Sequence, residues 1–374
     1  MSIVIGADIV PVDSNYELFK NADINELIGD DLQVVLNDSD FRIFNLETPL
    51  TNIKTPIAKH GPNLIAPTSS VKGLKAMGID ALALANNHIM DQDSQGLIST
   101  LKTLDDEKIA HFGADVNLKR AQKPLYFTIK EKKYGVYACA EHEFSIADGD
   151  SPGANPFDPL ETPDQVASIK TQCDYLIVLY HGGKEHYRYP SPCLQKTCRK
   201  IVEKGADIVI CQHSHCIGCK EEYRNGTIIY GQGNFLFDHA DNEYWNTSLL
   251  ILIDDSGIIE YKPIEKRKNC VRLAKGEAAD LILGDFEKRS ELIMDEKFIE
   301  ENYKLYAKEN IDSYLMYFTG KRSSFLFKAI NRLSGYRIQK IVAKQYKRKM
   351  GKALRNYLEC ESHRELVITE LKNV

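Results

Sequence analysis

Along the first two thirds of this chain, short apolar, β-prone runs end in clusters of Asp, Glu, Asn and His. The clusters are Asp8 in Gly6-Ala7-Asp8-Ile9, Asn45 and Glu47 in Phe44-Asn45-Leu46-Glu47-Thr48-Pro49, and Asn86, Asn87, His88 and Asp91 in Ala85–Asp91. Two more are His181 and Glu185 in His181-Gly182-Gly183-Lys184-Glu185, and His213 and His215 in Gln212-His213-Ser214-His215. Four of the five follow directly on an apolar run. Each therefore reads as a strand end that presents a carboxylate, amide or imidazole to one edge of a sheet. In open α/β sheets that edge is where ligands bind. The residue types are the ligand set of a divalent ion such as Mn, Fe, Zn or Mg. The pattern points to a metal-dependent hydrolase.

Apolar runs recur at 3–5, 41–46, 81–85, 134–140, 175–180, 206–211 and 227–230. Helical patterns fall between several of them, at 69–77, 94–107, 163–172 and 192–204. Alternation of strands and helices predicts an α/β domain. A later pair of runs, 248–253 and 258–261, is split by Asp254-Asp255-Ser256-Gly257, which reads as a hairpin turn and predicts some antiparallel pairing. Near residue 265 the character changes. The expected division is a domain over 1–265 and a mostly helical, charge-rich region over 266–374.

The 374 residues carry 43% hydrophobic and 27% charged side chains, the balance of a globular protein. A net charge of −5 provides no bulk basic field for nucleic acid. The start, Met1-Ser2-Ile3-Val4-Ile5-Gly6, enters a strand at once and shows no secretory signal. No stretch reaches the roughly 20 apolar residues of a membrane span. Nine cysteines, an odd number, suggest reduced thiols and a cytoplasmic location rather than a disulfide framework. Cys216 and Cys219 read as ordinary small apolar residues, because no second pair sits at zinc-ribbon spacing.

In the C-terminal region Ile338, Ile341, Val342, Tyr346, Met350, Ala353, Leu354 and Tyr357 follow a spacing of three to four. The other face is basic. Such a helix can lie on the inner face of an anionic membrane or join a biosynthetic complex through an acidic partner. Packing of its apolar face on the protein itself is the default expectation.

The third cluster is the most telling. Two amides and an imidazole after a buried strand are costly to bury without partners. Asn87 suits a neutral oxygen ligand, His88 a general acid, and Asp91 a group that orients its ring. His181, His213 and His215 each follow a buried strand and suit metal ligation. His213 and His215 are two residues apart, so an extended segment would point both to one face.

In order, Asp8, Asn45-Leu46-Glu47, Ala85–Asp91, His181–Glu185, His213–His215 and Gly233-Asn234-Phe235-Leu236-Phe237-Asp238 resemble the CapA-type poly-γ-glutamate capsule synthesis proteins of the calcineurin-like metallophosphoesterase superfamily. The resemblance covers about 1–265. It implies a four-layer α/β/β/α sandwich, here with a C-terminal helical extension, and a site for two divalent ions. One ion would take Asp8 and His215, the other Asn87, His181 and His213, with Glu47 bridging them. His88 would stand near the leaving group, and Asn45, Asn86, Glu185 and Asn234 would support the site or contact substrate. Val10 stands where the general phosphoesterase pattern has a His. The expected function is cleavage of a phosphoester in a small or polymeric anionic substrate, with His88 as general acid. The alternatives are binding of an anionic polymer in capsule assembly without cleavage, or chemistry on a γ-glutamyl amide.

Overall fold

The computed structural model describes residues 2–239, 241–321 and 324–371. Its strands, in chain order, are β1 (Ser2–Val10), β2 (Phe41–Leu46), β3 (Ala81–Ala83), β4 (Ala110–Phe112), β5 (Ala114–Asp115), β6 (Leu125–Ile129), β7 (Lys132–Ala140) and β8 (Gly153–Ala154). They continue as β9 (Tyr175–His181), β10 (Ile208–Gln212), β11 (Lys220–Tyr223), β12 (Gly226–Ile229), β13 (Asn234–Phe237), β14 (Thr247–Asp254), β15 (Ile259–Arg267) and β16 (Cys270–Leu273). One sheet has the order β16-β15-β14-β1-β2-β3-β4, with β13 also paired to β1. A second has the order β11-β12-β10-β9-β7-β6, and β5 pairs with β8.

Alternation along the strands builds the layers. Ile177 and Leu179 of β9 and Ile208 and Ile210 of β10 join the core of the first sheet, with Ile3, Ile5 and Ile43. Leu176, Val178 and Tyr180, with Val209 and Cys211, point the other way. They pack against Val166 and Ile169 of the helix Thr162–Lys170, and against Leu194, Cys198 and Ile201 of the helix Pro192–Glu203. On the far side of the first sheet, the helix Asp93–Asp106 buries Leu97, Leu101 and Leu104 at helical spacing. Each such leucine contributes about 1.5–3 kcal/mol by leaving water. The result is the expected four-layer α/β/β/α sandwich.

Local signals explain the element ends. Pro192 opens its helix, and the Ser191 hydroxyl accepts from Leu194 N at 3.0 Å. β14 and β15 pair antiparallel, and Asp254 Oδ1 closes their turn by accepting from Ile258 N at 2.8 Å. Gly257 supplies the left-handed backbone there, with φ +88°.

The chain divides into two compact units, the first ending at Ile299 and the second starting at Glu300. The composition change near residue 265 falls inside β15. Beyond it, Phe286 of the helix Glu277–Leu292 packs on Ile217 and Leu249 of the first unit. The second unit is helical, with Phe325–Leu333, Arg337–Glu359 and Glu361–Leu371 following the helix Glu296–Phe318. Its core holds Leu315, Met316 and Ala343, joined by Phe327, Val342, Tyr346 and Leu354. No described helix is long and apolar enough to cross a membrane. All nine cysteines are free thiols.

Candidate metal centre

Strand register gathers the polar clusters. Asp8 on β1 lies opposite Asn45 on β2 and opposite Asn234 on β13. His181 ends β9 opposite Gln212, the last residue of β10, so His213 follows one residue further on. Ala83 ends β3 opposite Asn45, and three and four residues later the chain delivers Asn86 and Asn87. β1, β2, β3, β9 and β10 thus bring their polar residues to one edge, the carboxyl end of their parallel strands.

Two groups of ligating atoms form there. Glu47, His181 and His213 make one, and Asp8, Glu47 and His215 the other, with the atoms of each group within 4.8 Å of one another. Glu47 belongs to both. His181 Nε2 approaches Asn87 Oδ1 at 3.0 Å and Glu47 Oε1 at 3.2 Å. The Asn87 amide nitrogen donates to Glu143 Oε2 at 3.0 Å, which turns its oxygen toward His181. His215 Nδ1 meets Asn234 Oδ1 at 2.8 Å and lies 3.7 Å from Asp8 Oδ2. Asn45 donates to Asp8 Oδ1 at 2.7 Å, and Asn86 donates to Asn45 Oδ1 at 3.2 Å. All of these side chains except that of Glu143, which is exposed, are buried. Glu185 is only partly buried and makes none of these hydrogen bonds, although it lies in the field of His213 and His215.

One expectation fails on backbone grounds. The segment from His213 to His215 is not extended: φ is +82° at His213 and +52° at His215. The left-handed region is uncommon for non-glycine residues and concentrates at functional sites. The rings still converge, with centroids 6.0 Å apart. Gly182 and Gly183 meet local backbone demands. A Cβ at 182 would meet Glu141 Cγ at 2.7 Å, and Gly183 has φ +108°.

The electrostatics fit a cation. Neither oxygen of Glu47 has a hydrogen-bond donor, and Asp8 Oδ2 and His213 Nδ1 are buried without partners as well. The approach of His181 to Glu47 lacks hydrogen-bond geometry. Burial, then the neighbouring Glu47 charge, pushes the Asp8 carboxyl well above its ordinary range. Burial opposes ionisation of Glu47 too, but the neighbouring imidazoles, His215 first and then His181 and His88, hold it below its ordinary value. Burial, with the neighbouring His181 and His215, lowers His213 to about 3. Burial also lowers His181, against the pull of Glu47. These two imidazoles are neutral at pH 7 and keep a lone pair for a metal. Two adjacent buried carboxylates with three of their four oxygens lacking a donor are expensive. A divalent cation would satisfy them, so these residues fit one.

Beside the ligand groups, His88 Nδ1 lies 2.6 Å from Asp91 Oδ2, which also accepts from Leu64 N at 2.6 Å. Sequence reasoning missed a third partner. Lys59, its side chain only 3% exposed, pairs with Asp91 and reaches within 3.3 Å of His88 Nδ1. It comes from an irregular segment tied down by Ile57 N to Asp91 O and Thr55 N to Gln92 Oε1. Trp245 was missed as well. It stacks on His215 with centroids 4.7 Å apart and packs with Val10 and Phe237. Trp245 is the single tryptophan of the chain, which was a signal that sequence reading left unused. Among the described residues, no cysteine joins either ligand group.

The profile of the bacterial capsule synthesis protein family, PGA_cap, matches residues 2–239. The chain is 28% identical over 235 residues to "Capsule biosynthesis protein CapA" of Bacillus anthracis, covering 60% of this chain and 55% of that protein. It is 29% identical over 238 residues to "PGA biosynthesis protein CapA" of Bacillus subtilis, covering 62% and 59%. The matches thus span less than two thirds of these relatives. Among solved structures, a "novel phosphatase" from Mycoplasma pneumoniae is similar at a TM-score of 0.43 and 13% identity, covering 72% of this chain and 94% of that one.

Proposed function

This chain belongs to the bacterial capsule synthesis protein family, and within it we propose a metal-dependent hydrolase that cleaves a phosphoester. The observation that carries the reading is Glu47, shared by two ligand groups and without a donor on either oxygen. Asp8, Glu47 and His215 would hold one divalent ion. Glu47, His181, His213 and Asn87 would hold a second. Such ions supply Lewis acidity toward a phosphoryl oxygen and lower the pKa of a water.

The rest of the chemistry falls to the chain's own side chains. His88 holds a proton for the leaving alkoxide, and Asp91 and Lys59 fix its ring. Asn45 braces Asp8, while Asn86 braces both Asn45 and the Leu46 carbonyl at 2.8 Å. The test is turnover of a phosphoester panel by metal-loaded protein beside His88→Ala. Turnover that depends on His88 supports the reading. No turnover of any phosphoester, with metal bound, contradicts it.

A second reading keeps the site but removes the cleavage: an anionic polymer is held during capsule assembly. Val10 favours it. This side chain is buried against Phe237 and Trp245, so position 10 offers the Asp8 group no nitrogen donor. The polymer named in the Bacillus subtilis relative, PGA, is such an anion.

A further inference from the structure

The 40 residues from Thr319 to Leu358 contain twelve Lys or Arg and no Asp or Glu, in a chain of net charge −5. The segment also leaves large apolar side chains in water. In the helix Phe325–Leu333, Phe327 and Asn331 face inward. Phe327 joins the core of the helical unit, and the Asn331 amide donates to Gln339 Oε1 at 3.1 Å. The opposite stripe is Phe325, Leu326, Ile330 and Leu333, exposed by 86%, 68%, 44% and 89%. The spacing is that of one helical face. Lys328 and Arg332, both exposed, border it.

The following helix, Arg337–Glu359, is built the other way round. Val342, Ala343, Tyr346 and Leu354 face the unit's own core. Lys344, Lys347, Arg348 and Lys352 are exposed, and Ile341 stands exposed among them. A soluble surface scatters its apolar residues singly, so a contiguous outward stripe calls for a partner. The charge selects an anionic one. The stripe then separates the candidates. A soluble polyanion would satisfy the lysines and arginines and leave Phe325 and Leu333 wet. An anionic lipid surface satisfies both, because headgroups take the charges and the acyl boundary takes the apolar stripe. No described helix can cross a bilayer, so the contact is interfacial.

We propose that the segment from Ser324 to Leu358 docks the chain on an anionic lipid membrane. Phe325, Leu326, Ile330 and Leu333 enter the headgroup–acyl boundary, and the neighbouring Lys and Arg side chains bind headgroups. This inference does not depend on the hydrolase reading, and its test involves no catalysis.

The test is flotation of the full chain with vesicles of phosphatidylcholine alone, and of phosphatidylcholine mixed with phosphatidylglycerol. The chain is expected to float with the anionic vesicles only. Lys344→Glu/Arg348→Glu/Lys352→Glu should bind them about 100-fold more weakly. Leu326→Ser/Leu333→Ser should lose at least about 10-fold. All five side chains are exposed, and unchanged circular dichroism melting confirms that each variant is folded. No flotation of the unsubstituted chain with anionic vesicles overturns the proposal, and so does equal flotation with neutral ones. Full binding by the leucine variant, with soluble polyglutamate stripping the chain from vesicles, assigns the surface to a soluble polyanion and also overturns it.

Discussion

His181 Nε2 stands 3.2 Å from Glu47 Oε1, yet neither oxygen of Glu47 has a hydrogen-bond donor. A buried carboxylate left so is destabilising unless a cation satisfies it. The centre therefore ties metal binding to the stability of the first unit.

Chelation should lower the melting temperature. An ion at 100 times its dissociation constant stabilises the folded state by about 2.7 kcal/mol. For a domain this large that is a shift of several degrees. Melting with and without chelator should show it, and His213→Ala, which belongs to one of the two ligand groups, should abolish about half of the difference.

Acid should destabilise the metal-free chain. His213 is lowered to about 3 and His181 is lowered as well, while an unfolded histidine titrates near 6.5. Between those values the unfolded state binds more protons than the folded one. Stability is then full above pH 6.5 and falls as pH drops toward 3. From pH 6.5 to 5 the loss is about 2 kcal/mol for a histidine shifted that far. Urea unfolding midpoints in chelator should record the fall, and His213→Gln should flatten it.

Lys59→Met should destabilise the chain. It removes a buried partner of Asp91, a loss that typically costs 3–5 kcal/mol. Asp91 keeps Leu64 N and His88, so about 3 kcal/mol is expected. Lys59→Met/Asp91→Asn should recover part of it. Additive losses in the double variant would mean that the pair is not coupled.

His88→Ala should separate catalysis from binding. Its ring belongs to neither ligand group, so metal content should hold while turnover falls about 10²–10⁴-fold. Parallel loss of metal and turnover would move His88 from acid to ligand support.

The layers were legible because buried strands need long apolar runs and amphipathic helices show their spacing. Leu97, Leu101 and Leu104 announce their helix, and Ile208–Cys211 announces the strand that leads to His213. The convergence of Asp8, Glu47, His181, His213 and His215 follows from strand ends meeting one edge. Lys59 was not legible. It comes from an irregular segment with no periodicity, and only tertiary hydrogen bonds through Thr55 and Ile57 place it beside Asp91. The left-handed backbone at His213 and His215 was equally hidden, since period-two reasoning assumes an extended chain. The reach of the first unit to Ile299 depends on Phe286 packing on Ile217 and Leu249, a contact far apart in sequence.

The most direct test is metal stoichiometry of the protein purified without chelator, measured by elemental mass spectrometry beside His213→Ala and His215→Ala. Two divalent ions per chain are expected, with each variant losing roughly one. No metal, or metal unchanged in both variants, would contradict a shared centre at Glu47.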